Sequence, residues 1–181
     1  MNKTREILKN IAELTDHYVG EVNALGMEQL TQKATEEDWS LGQMYIHLIN
    51  AALYMQLRHA EACLHGNTEI AAIGGEKTEA GLAVFSQGGF PPIRIQVPAS
   101  PQYTPGQPQN KEQIVEGFRM VLSRMEEIAR ELEGHDSHYK VQHPRFGALD
   151  ANEWFALVDM HYRHHLSQEK RLKQALAATA E

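Results

Sequence analysis

Trp154-Phe155-Ala156-Leu157-Val158-Asp159-Met160-His161-Tyr162-Arg163-His164-His165-Leu166-Ser167-Gln168 is the stretch on which the fold turns. Read as an α-helix, with a step of about 100° per residue, it places Trp154, Val158, His161, His165 and Leu172 within roughly 60° of one another. One face is therefore apolar and carries two imidazoles a single turn apart. Such a stripe has to be buried against other helices, and two core-facing histidines at i and i+4 form a ready chelate for a metal ion. His164 lies about 80° from the stripe centre by the same count and is read as a flank residue.

Spacing alone does not establish a site. Ten histidines in 181 residues yield roughly 0.5 such pairs by chance, so placement has to carry the inference. The best third donor is His47 in Ser40-Leu41-Gly42-Gln43-Met44-Tyr45-Ile46-His47-Leu48-Ile49-Asn50-Ala51. Met44, His47, Leu48, Ala51, Tyr54 and Met55 follow the helical three-four repeat, which predicts that His47 also points into a core. Three neutral imidazoles plus water suit a divalent transition metal with open positions. The alternative for each is a core histidine hydrogen-bonded to a neighbour.

Working outward, four helical segments emerge. The first spans Asn2 to Val22, where Ile7, Ile11, Leu14, Tyr18 and Val22 repeat every three to four residues. The second starts at Ser40, with Gln43 completing a capping box and Trp39 and Met44 at the positions of a hydrophobic staple, and ends near Gly66. The third runs from Asn110, again with a Gln three residues on, through Ile114, Phe118, Val121, Met125, Ile128 and Leu132 to Gly134. The fourth opens at Asp150 with Glu153 as capping partner and Leu149 against Trp154 as staple, and continues to about Ala177. All four stripes are apolar on one side only, so the expected class is all-α and the expected architecture a four-helix bundle in a single domain over 1–181.

Between the second and third helices, Gly66 to Gln109 forms a long crossover containing Gly74-Gly75, Gly88-Gly89, Pro91-Pro92 and the Pro98 to Pro108 run. This composition excludes long helix, and loops of this length are usually functional or mobile. Val84-Phe85 and Ile93-Arg94-Ile95-Gln96-Val97 are expected as short extended pieces over the mouth of the bundle, either as a surface crossover or as a substrate lid.

Hydrophobic residues make up 42% and charged residues 23% of the chain, as in ordinary globular proteins. A net charge of −7 argues against nucleic-acid binding, which needs clustered Lys and Arg. The N-terminal Met1-Asn2-Lys3-Thr4-Arg5-Glu6 lacks a signal-peptide core and no apolar run is long enough to span a bilayer, so a cytoplasmic protein without membrane association is expected. The one cysteine, Cys63, suits a reducing compartment. It falls about 24 Å along the second helix from His47 and on another face, which removes it as ligand or nucleophile for the same site. Surface or capping roles are assigned to His17, His59, His65, His135, His138 and His143, and Asp159 is the first acidic candidate to accept an imidazole N–H.

Trp39-Ser40 opening a helix, His47 within two turns of it, His143-Pro144-Arg145-Phe146-Gly147-Ala148-Leu149 before the last helix, and His161-x-x-x-His165-x-x-Gln168 inside it together resemble the DinB-like (YfiT-like) superfamily. The resemblance covers Asn2 to Ala177. It implies an up-down-down-up bundle, metal ligands at His47, His161 and His165, nickel, zinc or iron as the metal, and a homodimer. Met120 and Phe155, apolar residues left over on helices three and four, are candidates for that interface. The resemblance further implies either a transferase or isomerase that uses a low-molecular-weight thiol such as bacillithiol or mycothiol, or a metal-dependent hydrolase, acting on a small molecule. A non-catalytic bundle that binds a metal or ligand is the alternative.

Overall fold

The computed structural model describes residues 3–91, 104–135 and 138–179. It is mostly helical, with α1 (Lys3–Ala24), α2 (Met27–Thr31), α3 (Leu41–Ala51), α4 (Leu57–Leu64), α5 (Glu79–Gln87), α6 (Lys111–Leu132) and α7 (Ala151–Thr179). The expected helix starts follow from local hydrogen bonding. Ser40 Oγ accepts from the Gln43 N–H at 3.1 Å while Gln43 Oε1 accepts from the Ser40 N–H at 3.0 Å. Asp150 and Glu153 exchange the same pair of bonds at 2.9 and 3.0 Å. Each box satisfies N–H groups that a helix otherwise leaves without partners.

α3 and α4 are one continuous helix interrupted by a π-turn over Ala52–Gln56. The Leu57 N–H reaches back five residues to Ala52 O. Leu53 O, its partner in an uninterrupted α-helix, instead accepts from Arg124 Nη1 of α6 at 3.0 Å, and Arg124 is itself held by Glu61. The extra residue in the turn rotates everything beyond it by about 100°. Tyr54, expected in the core, is therefore 69% exposed, and the buried stripe continues through Ala52, Leu53, Gln56, Leu57 and Ala60.

α1 and the α3–α4 helix each pack against both α6 and α7. Tyr18, Tyr45, Phe118 and Tyr162 form an aromatic cluster where these helices meet, with Tyr18 stacked on Phe118 at 5.3 Å and Tyr162 edge-on to both. Near its start α7 is enclosed on all sides, since Trp154 through Met160 are all buried. Phe155, expected on an exposed interface, lies in this core.

A small antiparallel sheet in the order β1-β2-β3 (Ala72–Ile73, Tyr139–His143, Gly147–Leu149) qualifies the all-α expectation. These strands are too short to leave an alternating pattern in the sequence. The β2–β3 hairpin holds the first leg of the crossover: Thr78 N–H donates to Phe146 O and Ala148 N–H to Glu76 O, both at 3.0 Å. Gly147 makes that approach possible, because at φ +80° a Cβ would fall 2.5 Å from Glu76 O. Val84 and Phe85, expected as an extended piece, belong to α5, which is capped by Thr78 and ended by Gly88 in the left-handed region. Ile93 to Val97 lies outside the described residues. The return leg is tied to the start of α3, where Pro105 O accepts from Gln43 Nε2 at 2.8 Å and Gln107 Oε1 from the Ser40 hydroxyl at 2.8 Å.

Candidate metal centre

His47 lies nearly two turns into α3, counted from the Ser40 cap, and His161 and His165 lie one turn apart on α7. The packing of α3 on α7 brings the three rings together. His161 Nε2 is 3.1 Å from His47 Nε2 and 3.0 Å from His165 Nε2, with ring centroids 4.7 to 5.1 Å apart. Among the described residues this is the one group of three or more His, Cys, Asp or Glu side chains whose donor atoms are close enough to hold a metal ion. His165 is buried, and His47 and His161 are partly buried.

Electrostatics keep the three imidazoles neutral. Burial pushes His47 down to about 4, and burial with the neighbouring His47 and His164 pushes His165 down to about 3. His161 is held well below the usual histidine range by burial first and then by His165, His47 and His164. Neutral rings have the lone pairs that coordination requires. The donor set also fits an ion: two nitrogens about 2.1 Å from one metal and about 90° apart are separated by about 3.0 Å. The separations of His47 and His165 from His161 are of this size, and all three donor atoms lie within 4.8 Å of one another, so the group could hold a metal ion.

The flanks are aromatic. Trp39 lies 5.0 Å from His47 between ring centroids, and Phe90, just beyond α5, lies 6.2 Å from His161 and 5.6 Å from His164. Phe90 also stacks on Phe146 of the hairpin at 5.7 Å. His164 sits beside the group without joining it, as its flank position implied.

Asp159 does not accept from an imidazole; both its ion-pair contacts, at 2.8 and 3.0 Å, are with Arg163 one turn along α7. Cys63 is buried, gives its S–H to Leu149 O at 3.6 Å and has its thiol pushed up to about 12 by burial, which leaves it neither ligand nor nucleophile here. His143 has the capping role expected of it: Nδ1 accepts from the Arg145 and Phe146 N–H groups, both at 3.1 Å. His65 pairs with Glu131 on the surface. His17 is exposed, as expected of it, and its Nε2 also lies 2.7 Å from Glu169 Oε2. Glu169, 4% exposed, also accepts from the Tyr45 hydroxyl at 2.7 Å. His59 rests against Trp154 at 4.6 Å.

Two residues near the site have no counterpart in the sequence reading. Gln56, 2% exposed, points its side-chain nitrogen at His161 Nδ1 from 3.5 Å, and Glu169 ties α1, α3 and α7 together one turn beyond His165. The helical repeat from His165 signals Glu169. Gln56 has no such signal, because only the π-turn brings it round.

The sequence profile of the DinB superfamily matches residues 10–168, and the chain belongs to that superfamily. Comparisons with curated proteins and with solved structures return no match.

Proposed function

We propose that His47, His161 and His165 hold one divalent transition metal, and that the protein is a metal-dependent enzyme that transfers a low-molecular-weight thiol to a small electrophile. The observation that carries this reading is the convergence of three neutral Nε2 atoms with no fourth protein donor in the group among the described residues. Structural zinc is normally closed by four protein ligands, whereas three leave positions for an exogenous molecule. The all-nitrogen set suits zinc, nickel or iron. A metal bound there supplies Lewis acidity, which deprotonates a thiol outright and brings water toward a pKa of about 7.

The chain's own groups favour sulfur transfer over hydrolysis. Activating water generally also uses a protein base. On α7, Asp159 is tied to Arg163 through Oδ2, with its Oδ1 buried, and Glu169 is held by Tyr45 and His17. A thiol that ionises at the metal needs no such base. Burial keeps the imidazoles unprotonated, and Trp39 and Phe90 form apolar walls beside them. With Cys63 sealed in the core, the attacking sulfur comes from solution.

The same reading takes 1–181 as one domain and the helices as a four-helix bundle of up-down-down-up order, supported by the packing of α1 and α3–α4 on α6 and α7. It takes the protein as a cytoplasmic homodimer. Tyr54 and Met120, 69% and 58% exposed, offer apolar surface for such an interface. Among the described residues no helix is long and apolar enough to cross a membrane.

The test is a rate measurement with zinc-, nickel- or iron-loaded protein, an electrophile, and bacillithiol, mycothiol, glutathione or coenzyme A, beside ester and amide substrates without thiol. The expected result is metal-dependent S-conjugation that is lost in His165→Ala. Hydrolysis without thiol would replace the transferase by a hydrolase. Silence in both arms with metal bound would favour a non-catalytic metal-binding bundle.

A further inference from the structure

We propose that Gln56 is a positioning residue for the metal: its side-chain carbonyl accepts the Nδ1 proton of His161 and so fixes the tautomer that presents Nε2 to the ion. This rests on the metal reading above.

The first observation is placement. Gln56 follows His47 by nine residues, and in an uninterrupted α-helix nine steps of about 100° would put it on the opposite face. The π-turn over Ala52–Gln56 inserts one residue, returning Gln56 by about 100° to the side of the helix that faces α7. Arg124 holds the turn through its bond to Leu53 O. Helix register is thus displaced at the one place that delivers an amide to His161.

The second observation is an unpaired polar atom. Gln56 is 2% exposed, its Nε2 lies 3.5 Å from His161 Nδ1, and its buried Oε1 has no hydrogen-bond partner. Amide oxygen and NH2 have nearly the same shape, and a half-turn about the last side-chain bond exchanges them. Proton bookkeeping then assigns one orientation to each state. Without metal, an Nε2–H of His161 can donate to His47 or His165 at 3.0 to 3.1 Å, and the bare Nδ1 accepts from the Gln56 NH2. With Nε2 committed to a metal, the single proton of the neutral ring sits on Nδ1 and faces the amide. An NH2 there would oppose a second donor, so the carbonyl takes its place. Gln56 approaches the Nδ1 side of the ring, away from the three converging Nε2 atoms, so it orients a ligand and is not itself one.

Partners of this kind raise the basicity of a ligating imidazole, and their loss typically weakens metal binding by about 10- to 100-fold. The experiment measures zinc affinity by chelator competition in wild type, Gln56→Leu, Gln56→Met and Gln56→Glu, alongside 15N NMR of the histidine tautomers. Unfolding of each metal-free protein verifies its fold, and Met stands in if the Leu variant does not fold. The expected result is a loss of about 10- to 100-fold in the apolar variant, at least wild-type affinity in Gln56→Glu, and a protonated Nδ1 on His161 in zinc-loaded wild type. A folded apolar variant binding zinc within about twofold of wild type, or a Glu variant as weak as the apolar one, overturns the role of Gln56 and leaves the metal site standing. Wild type that takes up none of zinc, nickel and iron overturns the metal reading, and the role of Gln56 falls with it.

Discussion

Tyr45→Phe removes a single oxygen atom, and its cost can be worked out from one bond. The Tyr45 hydroxyl donates to Glu169 Oε1 at 2.7 Å, and Glu169 is 4% exposed, so water cannot replace the lost donor without opening the core. Hydrogen bonds to charged groups contribute about 1.5–3 kcal/mol. His17 still serves the other carboxylate oxygen, which places the expected loss near the lower half of that range, about 2 kcal/mol. For a domain of this length that corresponds to a fall in Tm of about 4–8 °C. Tyr18→Phe is the control: its hydroxyl donates at 2.7 Å to the neutral carbonyl of Tyr162, so its loss should cost only about 1 kcal/mol. Urea denaturation of the metal-free proteins, with a double-mutant cycle through Glu169→Gln, isolates the pair. Tyr45 and His47 share α3, and Glu169 and His165 share α7, so the same variant should also hold metal less tightly. A Tyr45→Phe protein within about 0.5 kcal/mol of wild type, or one no less stable than Tyr18→Phe, would refute the assignment.

The metal-free protein should lose stability in acid with a definite sign. His47 at about 4 and His165 at about 3 in the folded state compare with about 6.5 unfolded, so their contribution is complete above pH 6.5. It declines by up to about 1.4 kcal/mol per pH unit per histidine as pH falls from there toward 4 and 3, because the unfolded chain takes up the protons first. His143, pushed down to about 4 chiefly by burial, adds a smaller share because it is more exposed. Urea midpoints that stay flat from about pH 7 to about pH 5 would contradict this. Two glycine substitutions should have opposite signs. A Cβ at Gly81 falls 2.2 Å from Phe146 O, so Gly81→Ala should push α5 off the hairpin and cost about 1–3 kcal/mol. Gly20, in α1, has nothing within 4 Å, so Gly20→Ala should stabilise by up to about 1 kcal/mol. A calorimetric Tm that rises in Gly81→Ala, or falls in Gly20→Ala, would contradict the corresponding expectation.

The features legible in the sequence were those that local chemistry decides. Ser40 with Gln43 and Asp150 with Glu153 announce helix starts because each box closes within four residues. His47, His161 and His165 could be assigned to core faces because the helical repeat holds from each helix start as far as the histidine. The repeat fails at Tyr54 because the π-turn depends on Arg124, which arrives from α6, 71 positions beyond Leu53. The contact of the exposed His17 with Glu169 is not legible in the sequence, because the two lie 152 positions apart. Phe155 lies off the apolar stripe, yet the start of α7 is enclosed on every side, and a one-sided pattern does not report that. β1, with two residues, and α5, with nine, are too short to show a period against the glycines around them.

The central claim is tested most directly by elemental analysis of the purified chain, with His47→Ala, His161→Ala and His165→Ala as probes and His164→Ala as control. Three donors from α3 and α7 converge on one point, and His164 stays outside the group. The account predicts close to one divalent transition metal per wild-type chain, the same content in His164→Ala, and loss in each of the other three. Full metal content in all three of those variants, or loss only in His164→Ala, would contradict it.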